Sequence, residues 1–494
     1  MTRIKDLREY LHALDELGDL KVIKREVSAD LEAAAITRLA YERGLPAPLF
    51  DRVTGAAPGF RLFGAPAGLS SVQGKPWARV ALSLGLPLDL TPEQLVEKLI
   101  ATCGATPVPP VAVSREAAPC KQNVLLGDEA SLDRFPVPKV HQEDGGPYPG
   151  TWGVIIARTP DGRWTNWSIA RIMMIDGKHM TGMVVPPQHI GQVWQEWADI
   201  GNPVPFALVQ GGHPAISCVG GMPFPDAEVD ESGFIGALLG EPLEVVTCET
   251  SDLQVPASAE IVIEGHLSVG RDAIEGPFGE MHGYMSADTS AQPIYSIEAI
   301  TYRDDPIWPI VPEGRPVDEC HTISMPGLSA AALKELRSAG LPVTMVWLPT
   351  YAANHWLVIT VPQNWRERLP GIDSAEFTRR IDEILRSTRA GQMMPRAFVL
   401  DDDIDPFNDQ ELIWALATRV HPVKRVKVSE GWATPLHTCF TPEEKVAGRG
   451  PLVIHDGLLP APGEGRLAHS SFAGAYPGDL QKRVLEANDW GLSQ

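Results

Sequence analysis

Residues 154–175 read VIIARTPDGRWTNWSIARIMMI. Val154–Arg158 is a short apolar run, Pro160-Asp161-Gly162 is a turn signal, and Arg163–Ile175 runs back from it, which predicts a β-hairpin. Working outward, further strands are predicted at Phe206–Gln210, Pro242–Cys248, Glu260–Leu267 and Ile294–Tyr302. Ile190, Val193, Trp194 and Trp197 recur at helical spacing just after Pro186-Pro187 and predict one amphipathic helix. Many strands with few helices predict a β-barrel-like centre.

The flanks have a different texture. Leu7, Leu11 and Leu14 mark a helix ended by Gly18. Asp30–Arg43 predicts a second, with Asp30 as N-cap and Gly44 as stop, and Thr91–Thr102 a third. Ala105–Pro119 is proline-rich and unpatterned, a boundary candidate. After Pro326 the pattern alternates: helix Ala330–Ala339, strands Val343–Leu348 and Trp356–Val361, helix Ala375–Ser387, strand Ala397–Leu400, helix Gln410–Val420. This predicts a separate α/β unit. From Arg449 the chain reads as a Gly/Pro-rich tail with a last helix near Leu480–Ala487.

With 494 residues, 44% hydrophobic and 21% charged, the chain can bury a large core over two or three domains. Its charged first residues, MTRIKDLREY, argue against a secretory signal, and no run approaches the roughly 18 apolar residues of a membrane span. Six cysteines without a CxxC pair fit a reducing cytoplasm. A net charge of −21 disfavours nucleic acid and anionic lipid as partners. An anionic substrate would need a local arginine or metal to draw it in.

Three constellations are candidates for chemistry. Glu275-Gly-Pro-Phe-Gly-Glu280-Met-His282-Gly-Tyr284 sets two carboxylates five residues apart in a loop that cannot be helical. Neighbouring carboxylates split their proton affinities, one serving as ion-paired base and the other as acid; an ordinary surface turn reads the same way. In Asn166-Trp167-Ser168-Ile169-Ala170-Arg171, period-2 geometry turns Ser168 and Ala170 to one face and Trp167, Ile169 and Arg171 to the other. Arg171 then needs a carboxylate partner, catalytic or structural. Asn166, His189 and Glu231 form a mixed N/O set suited to Mn2+ or Mg2+ on a phosphate, although a cap, a core histidine and a solvated acid would look alike. His321 and His437 are pocket candidates of the same ambiguous kind.

In chain order, TNWSIAR, PPQHIG, ESGFIGALLGEPLEVV, EGPFGEMHGY and DDDIDPFNDQELIWALATR resemble the UbiD family of reversible decarboxylases. The resemblance runs nearly the whole chain. It implies an α+β fold with an N-terminal α/β portion (1–110), a central flavin-reductase-like split barrel (111–325) and a C-terminal α/β oligomerisation domain (326–494). It implies prenylated FMN matured by a flavin prenyltransferase, a divalent ion (Mn2+ or Mg2+) and K+, a small carboxylic acid substrate releasing CO2, and a homodimer or higher homo-oligomer. Carried over by motif, Asn166, His189 and Glu231 would bind the divalent ion, and Trp167, Val219 and Met222 the potassium and phosphate loop. Ser168, Ile169, Ala170, Gln188, Gly220 and Gly221 would line the cofactor, with Arg396 in place of a phosphate-side lysine. Arg171, Glu275 and Glu280 would be the catalytic network, with Glu280 the acid. Relatives often carry Ala or Ser where this chain has Val219-Gly220-Gly221. Arg315-Pro-Val-Asp318-Glu-Cys-His321-Thr loosely resembles the pocket segment of heteroaromatic-acid decarboxylases of the pyrrole-2-carboxylate type, which makes Asp318, His321 and His437 candidates for the substrate pocket. Two other readings stay open: a flavin-dependent oxidoreductase on the same barrel, and an inactive assembly paralogue.

Overall fold

The computed structural model describes residues 4–487 apart from 187, 225–227, 435, 462 and 466–468. Pro187 of the PPQHIG motif and the first three residues thus lie outside the described residues. At the centre, seven antiparallel strands lie side by side in the order Thr165–Ile169, Val154–Arg158, Val204–Gln210, Ile261–Leu267, Ile294–Tyr302, His179–Gly182 and Ile172–Met174. Asn123–Leu126 adds to Ile294–Tyr302. The two end strands are separated in the chain by Ala170 and Arg171 alone. A sheet whose edges are two residues apart must curl until they meet, and the result is a half-barrel.

The return strand expected over Arg163–Ile175 is therefore two strands on opposite edges. The hairpin of Val154–Arg158 with Thr165–Ile169 is present, but the chain leaves it at Ile169 and joins the far edge at Ile172. Both faces of that hairpin are covered, since adjacent Asn166 and Trp167 are both buried, and Arg171 sits on the seam between strands. Gly150 bridges Ile172 there, where a Cβ would come within 2.9 Å of the Ile172 Cβ.

The N-terminal helix Leu7–Glu16 buries Leu7, Leu11 and Leu14. Helix Glu32–Arg43 ends on left-handed Gly44 as expected, but Asp30 is not its cap. Asp30 is instead drawn into a bridge with Lys139, and the Glu32 carboxylate accepts from Ser28 N at 3.0 Å. Helix Pro92–Cys103 starts on a capping box from Thr91. Strands Leu20–Val27, Ala47–Val53 and Arg61–Gly64 form a sheet completed by Ile307–Ile310, which arrives from beyond the barrel. The proline-rich linker contributes Val111–Ala112, paired with Glu244–Val245.

The C-terminal sheet runs Met345–Trp347, Trp356–Val361, Arg396–Asp401, Arg449–Asp456, Val426–Trp432. Reading residues from Arg449 onward as a tail was wrong. Gly450 and Pro451 hide a strand that pairs with both neighbours, and Val426–Trp432 went unread. One apolar core joins Leu95, Trp152, Phe234, Leu333 and Trp347, binding all three regions together. Among the described residues no helix is long and apolar enough to cross a membrane.

Candidate active site

Arg171 takes its position from the barrel seam. Its Nε and Nη2 donate to the two carboxylate oxygens of Glu275 at 2.9 and 2.8 Å, and its Nη1 is turned to Oε1 of Glu280. The two-bond fork fixes the guanidinium plane as well as its charge. Glu275 is fully buried at the end of strand Ala273–Glu275, opposite Ser290. The Tyr148 hydroxyl donates to Glu275 Oε1 at 3.0 Å; burial and then the Glu275 charge hold the phenol protonated by raising its pKa. Phe278 lies beneath, 5.5 Å from the Arg171 guanidinium and 4.5 Å from the Tyr148 ring.

The loop that follows is shaped by its own sequence. Gly276 has φ +89°, a region only glycine adopts without strain. Gly145 N donates to Pro277 O at 2.9 Å, Glu280 N to Tyr284 O at 3.3 Å and Gly283 N to Glu280 O at 2.9 Å. Glu280 is thereby held almost out of solvent, 6% exposed, with Arg171 as its ionic partner. The two glutamates that the sequence sets five residues apart meet on one arginine.

Asn166 on strand Thr165–Ile169 and His189 and Glu231, each at the start of a helix, also come together. Asn166 Nδ2 and Trp167 N donate to the two Glu231 oxygens at 3.0 and 3.1 Å, and His189 Nδ1 stands 3.5 Å from Oε1. Ser168 Oγ donates to Asn166 Oδ1 at 2.9 Å. Glu231 opens helix Glu231–Leu239 and is 2% exposed. Burial pushes its pKa up, against the opposing hydrogen bonds from His189 and the Trp167 backbone. A buried carboxylate beside an imidazole and an amide oxygen fits a divalent cation. Among the described residues no three His, Cys, Asp or Glu side chains gather into a metal-holding group, so such a site would need the Asn166 amide oxygen beside His189 and Glu231.

Val219 and Gly220 end helix Pro214–Gly220, followed by Gly221 and Met222. This turn packs on the strand carrying Trp167: a Cβ on Gly220 would lie 3.0 Å from Val154 Cγ2 and 3.7 Å from Trp167 O, and one on Gly221 3.4 Å from Ile169 Cδ1. Ser324 Oγ donates to Gly221 O at 2.8 Å. Gln188 is exposed at the N-cap of helix His189–Asp199, and Ala170 is buried at the seam.

The remaining candidates are placed as follows. Asp318 and His321 are fully buried and bonded to each other, Oδ1 to Nδ1 at 2.8 Å. The second Asp318 oxygen accepts from Arg38 Nη1 at 3.3 Å and Gly314 N at 2.9 Å, while His321 Nε2 is buried without a hydrogen-bond partner among the described residues. His437 is 2% exposed beside His355, ring centroids 5.3 Å apart. Burial, and then His355, Lys445 and His282, lower its pKa to about 3. Arg396 is exposed at the start of the C-terminal strand Arg396–Asp401, and the groups that feel its charge are His355, Cys439 and His455.

Tyr148, His141 and Asp144 went unread. They sit in HQEDGGPYPG, a Gly/Pro-rich stretch whose only signal was a histidine and an aspartate three apart.

Comparison with known proteins puts this geometry in company. Residues 111–316 match the 3-octaprenyl-4-hydroxybenzoate carboxy-lyase Rift-related domain, residues 11–99 the N-terminal domain of that family and residues 322–485 its C-terminal domain. The chain is 40% identical over 491 residues to pyrrole-2-carboxylic acid decarboxylase of Pseudomonas aeruginosa, covering 99% of this chain and 98% of the relative. It is 41% identical over 423 residues to ferulic acid decarboxylase 1 of Saccharomyces cerevisiae, covering 85% and 84%. Its fold superposes on an evolved dimeric form of the UbiD-class enzyme HmfF from Pelotomaculum thermopropionicum in complex with prFMN. The TM-score is 0.78 at 28% identity, over 94% of this chain and 97% of that one.

Proposed function

The chain belongs to the UbiD family of carboxy-lyases, and from that premise we propose how its own residues divide the removal of CO2 from an aromatic carboxylic acid. Losing CO2 from an sp2 carbon leaves a localised carbanion that no side chain can delocalise. A bound prenylated flavin supplies the electron sink, and the protein supplies orientation and a proton. The single observation that carries the reading is Arg171 held between Glu275 and Glu280 at the barrel seam.

In this reading Glu275 and Tyr148 fix the guanidinium, and Nη1 is the amine that meets the substrate carboxylate. Glu280 occupies that amine when no substrate is present. A second carboxylate brought against Nη1 sets two like charges side by side and favours a proton on one of them, and in this reading Glu280 takes it and protonates the carbon after CO2 leaves. Asn166, His189 and Glu231 would hold a divalent ion, Mn2+ or Mg2+, against the flavin phosphate. Trp167 and the Val219–Met222 turn would offer backbone oxygens to K+, and Ser168, Ile169, Ala170 and Gln188 would line the flavin. The near full-length match to a pyrrole-2-carboxylic acid decarboxylase supports a heteroaromatic acid as substrate, and the match to a ferulic acid decarboxylase keeps cinnamic acids in the test panel. A cytoplasmic homo-oligomer dependent on a flavin prenyltransferase completes the proposal. A hydride-transferring flavoprotein on this barrel has no use for an arginine shared by two glutamates, and an inactive paralogue would be free to lose them.

The test is production with and without a flavin prenyltransferase. Absorbance would follow the bound flavin, and CO2 release would be measured over a panel of heteroaromatic, benzoic and cinnamic acids. Turnover is expected only after co-production; full turnover with plain FMN would overturn the proposal.

A further inference from the structure

His141 lies outside every motif discussed so far, yet its ring is fastened at both ends. Nδ1 is 3.1 and 3.2 Å from the two oxygens of Asp144, and Nε2 is 2.7 Å from the Glu313 carbonyl. A carbonyl can only accept and an ionised carboxylate can only accept, so both ring nitrogens must carry hydrogen. Burial opposes that charge, but the Asp144 hydrogen bond and charge raise the His141 pKa above the ordinary imidazole value. Asp144 is buried, and its Oδ1 also accepts from Gly279 N at 3.1 Å. Gly279 immediately precedes Glu280. The line of contacts is therefore Glu313 carbonyl, His141 imidazolium, Asp144 carboxylate, Gly279 amide.

Both ends of this line are closely packed. A Cβ on Gly279 would sit 2.6 Å from His141 Nδ1, so the ring is packed directly against the loop backbone. The His141 ring also meets Phe278 edge-on at 5.5 Å, beneath Arg171. At the far end Arg38 ties the Glu313 segment together, donating to Pro312 O at 3.2 Å and Arg315 O at 2.5 Å. Asp318 binds the same segment through Gly314 N and His321. The loop returns against that segment at Gly283, where a Cβ would lie 3.0 Å from Arg315 Cα.

We propose that His141, as an imidazolium bridging Asp144 to the Glu313 carbonyl, is a positioning residue that sets where Glu280 delivers its proton. The inference rests on Glu280 being the proton donor. His141 touches neither Glu280 nor Arg171 in the contacts described; it acts through the Gly279 amide and the Phe278 ring. It stands apart from the Asn166–His189–Glu231 group, so its loss should leave cofactor retention alone. Placing a reacting group about 1 Å off its mark costs on the order of 100-fold in rate. His141→Gln keeps one donor for the Glu313 carbonyl but loses the charge on Asp144. Asp144→Asn keeps an acceptor for Gly279 N while removing that charge from the other side.

The experiment measures kcat, KM, bound flavin and the solvent deuterium isotope effect on kcat for the mature enzyme, His141→Gln and Asp144→Asn. The expected result for His141→Gln is a kcat lower by ~10- to 100-fold with KM and flavin content unchanged. Its isotope effect should be larger, because protonation has become slower relative to the other steps. Asp144→Asn should show the same pattern more weakly. Wild-type kcat and isotope effect in both variants would overturn the inference. So would loss of flavin in parallel with activity in both, which assigns the bridge a purely structural role. If Glu280→Gln is itself fully active, the proton-donor reading has failed; if Glu280→Gln is slow and His141→Gln is not, the inference alone has failed.

Discussion

Replacing Glu280 by glutamine separates the proton from the fold. The substitution keeps the side chain's length and leaves an amide oxygen to accept from Arg171, but removes the carboxylic proton. What holds the loop is largely independent of that carboxylate: Gly145 N on Pro277 O, Gly279 N on Asp144, Glu280 N on Tyr284 O and Gly283 N on Glu280 O. The change turns an ion pair into a hydrogen bond in which only Arg171 is charged, a stability loss of roughly 1–2 kcal/mol. A positioned general acid is worth on the order of 10²–10⁴ in rate, or about 2.7–5.4 kcal/mol at 1.36 kcal/mol per tenfold. The catalytic effect should therefore exceed the structural one. The assay is initial decarboxylation rate per bound, matured flavin, together with deuterium incorporation into product in D2O and the urea midpoint. The rate and the exchange should fall together while the midpoint moves little. Near wild-type turnover with intact cofactor would refute the assignment and pass the role to another group. His282 would then be tested first; burial, then His355 and Lys445, lower its pKa to about 4, leaving it neutral at pH 7.

Two further outcomes are expected. His189→Ala or Glu231→Ala should release the divalent ion and most of the flavin, read by metal analysis and absorbance after desalting; unchanged manganese in both variants would count against the ligand assignment. The helix Gly478–Ala487 buries none of its residues within the chain, and Leu485 is 61% exposed on it; ending the chain at residue 477 should reduce an oligomer to smaller species by light scattering, whereas a wild-type monomer at micromolar concentration would contradict assembly altogether.

The sequence alone carried the barrel hairpin, the helix stops at Gly18 and Gly44, the alternating C-terminal pattern and the residue types of both clusters. These are local signals: periodicity, turn residues and loop motifs are written in neighbouring positions. It could not carry what depends on strands meeting across the sheet. The expected single return strand over Arg163–Ile175 failed because curvature, a property of the whole sheet, splits it at Ala170-Arg171 and puts Arg171 on the seam. The strand Arg449–Asp456 was hidden because Gly450 and Pro451 erase its pattern, while its place comes from pairing with Arg396–Asp401 and Val426–Trp432. Asp318 and His321 read as pocket residues, and only tertiary packing shows them bonded to each other and Asp318 bonded to Arg38. The bridge through His141 joins residues 144, 279 and 313. Hydrogen bonds between segments more than 30 residues apart leave no periodic trace in either segment, so only the folded chain decides them.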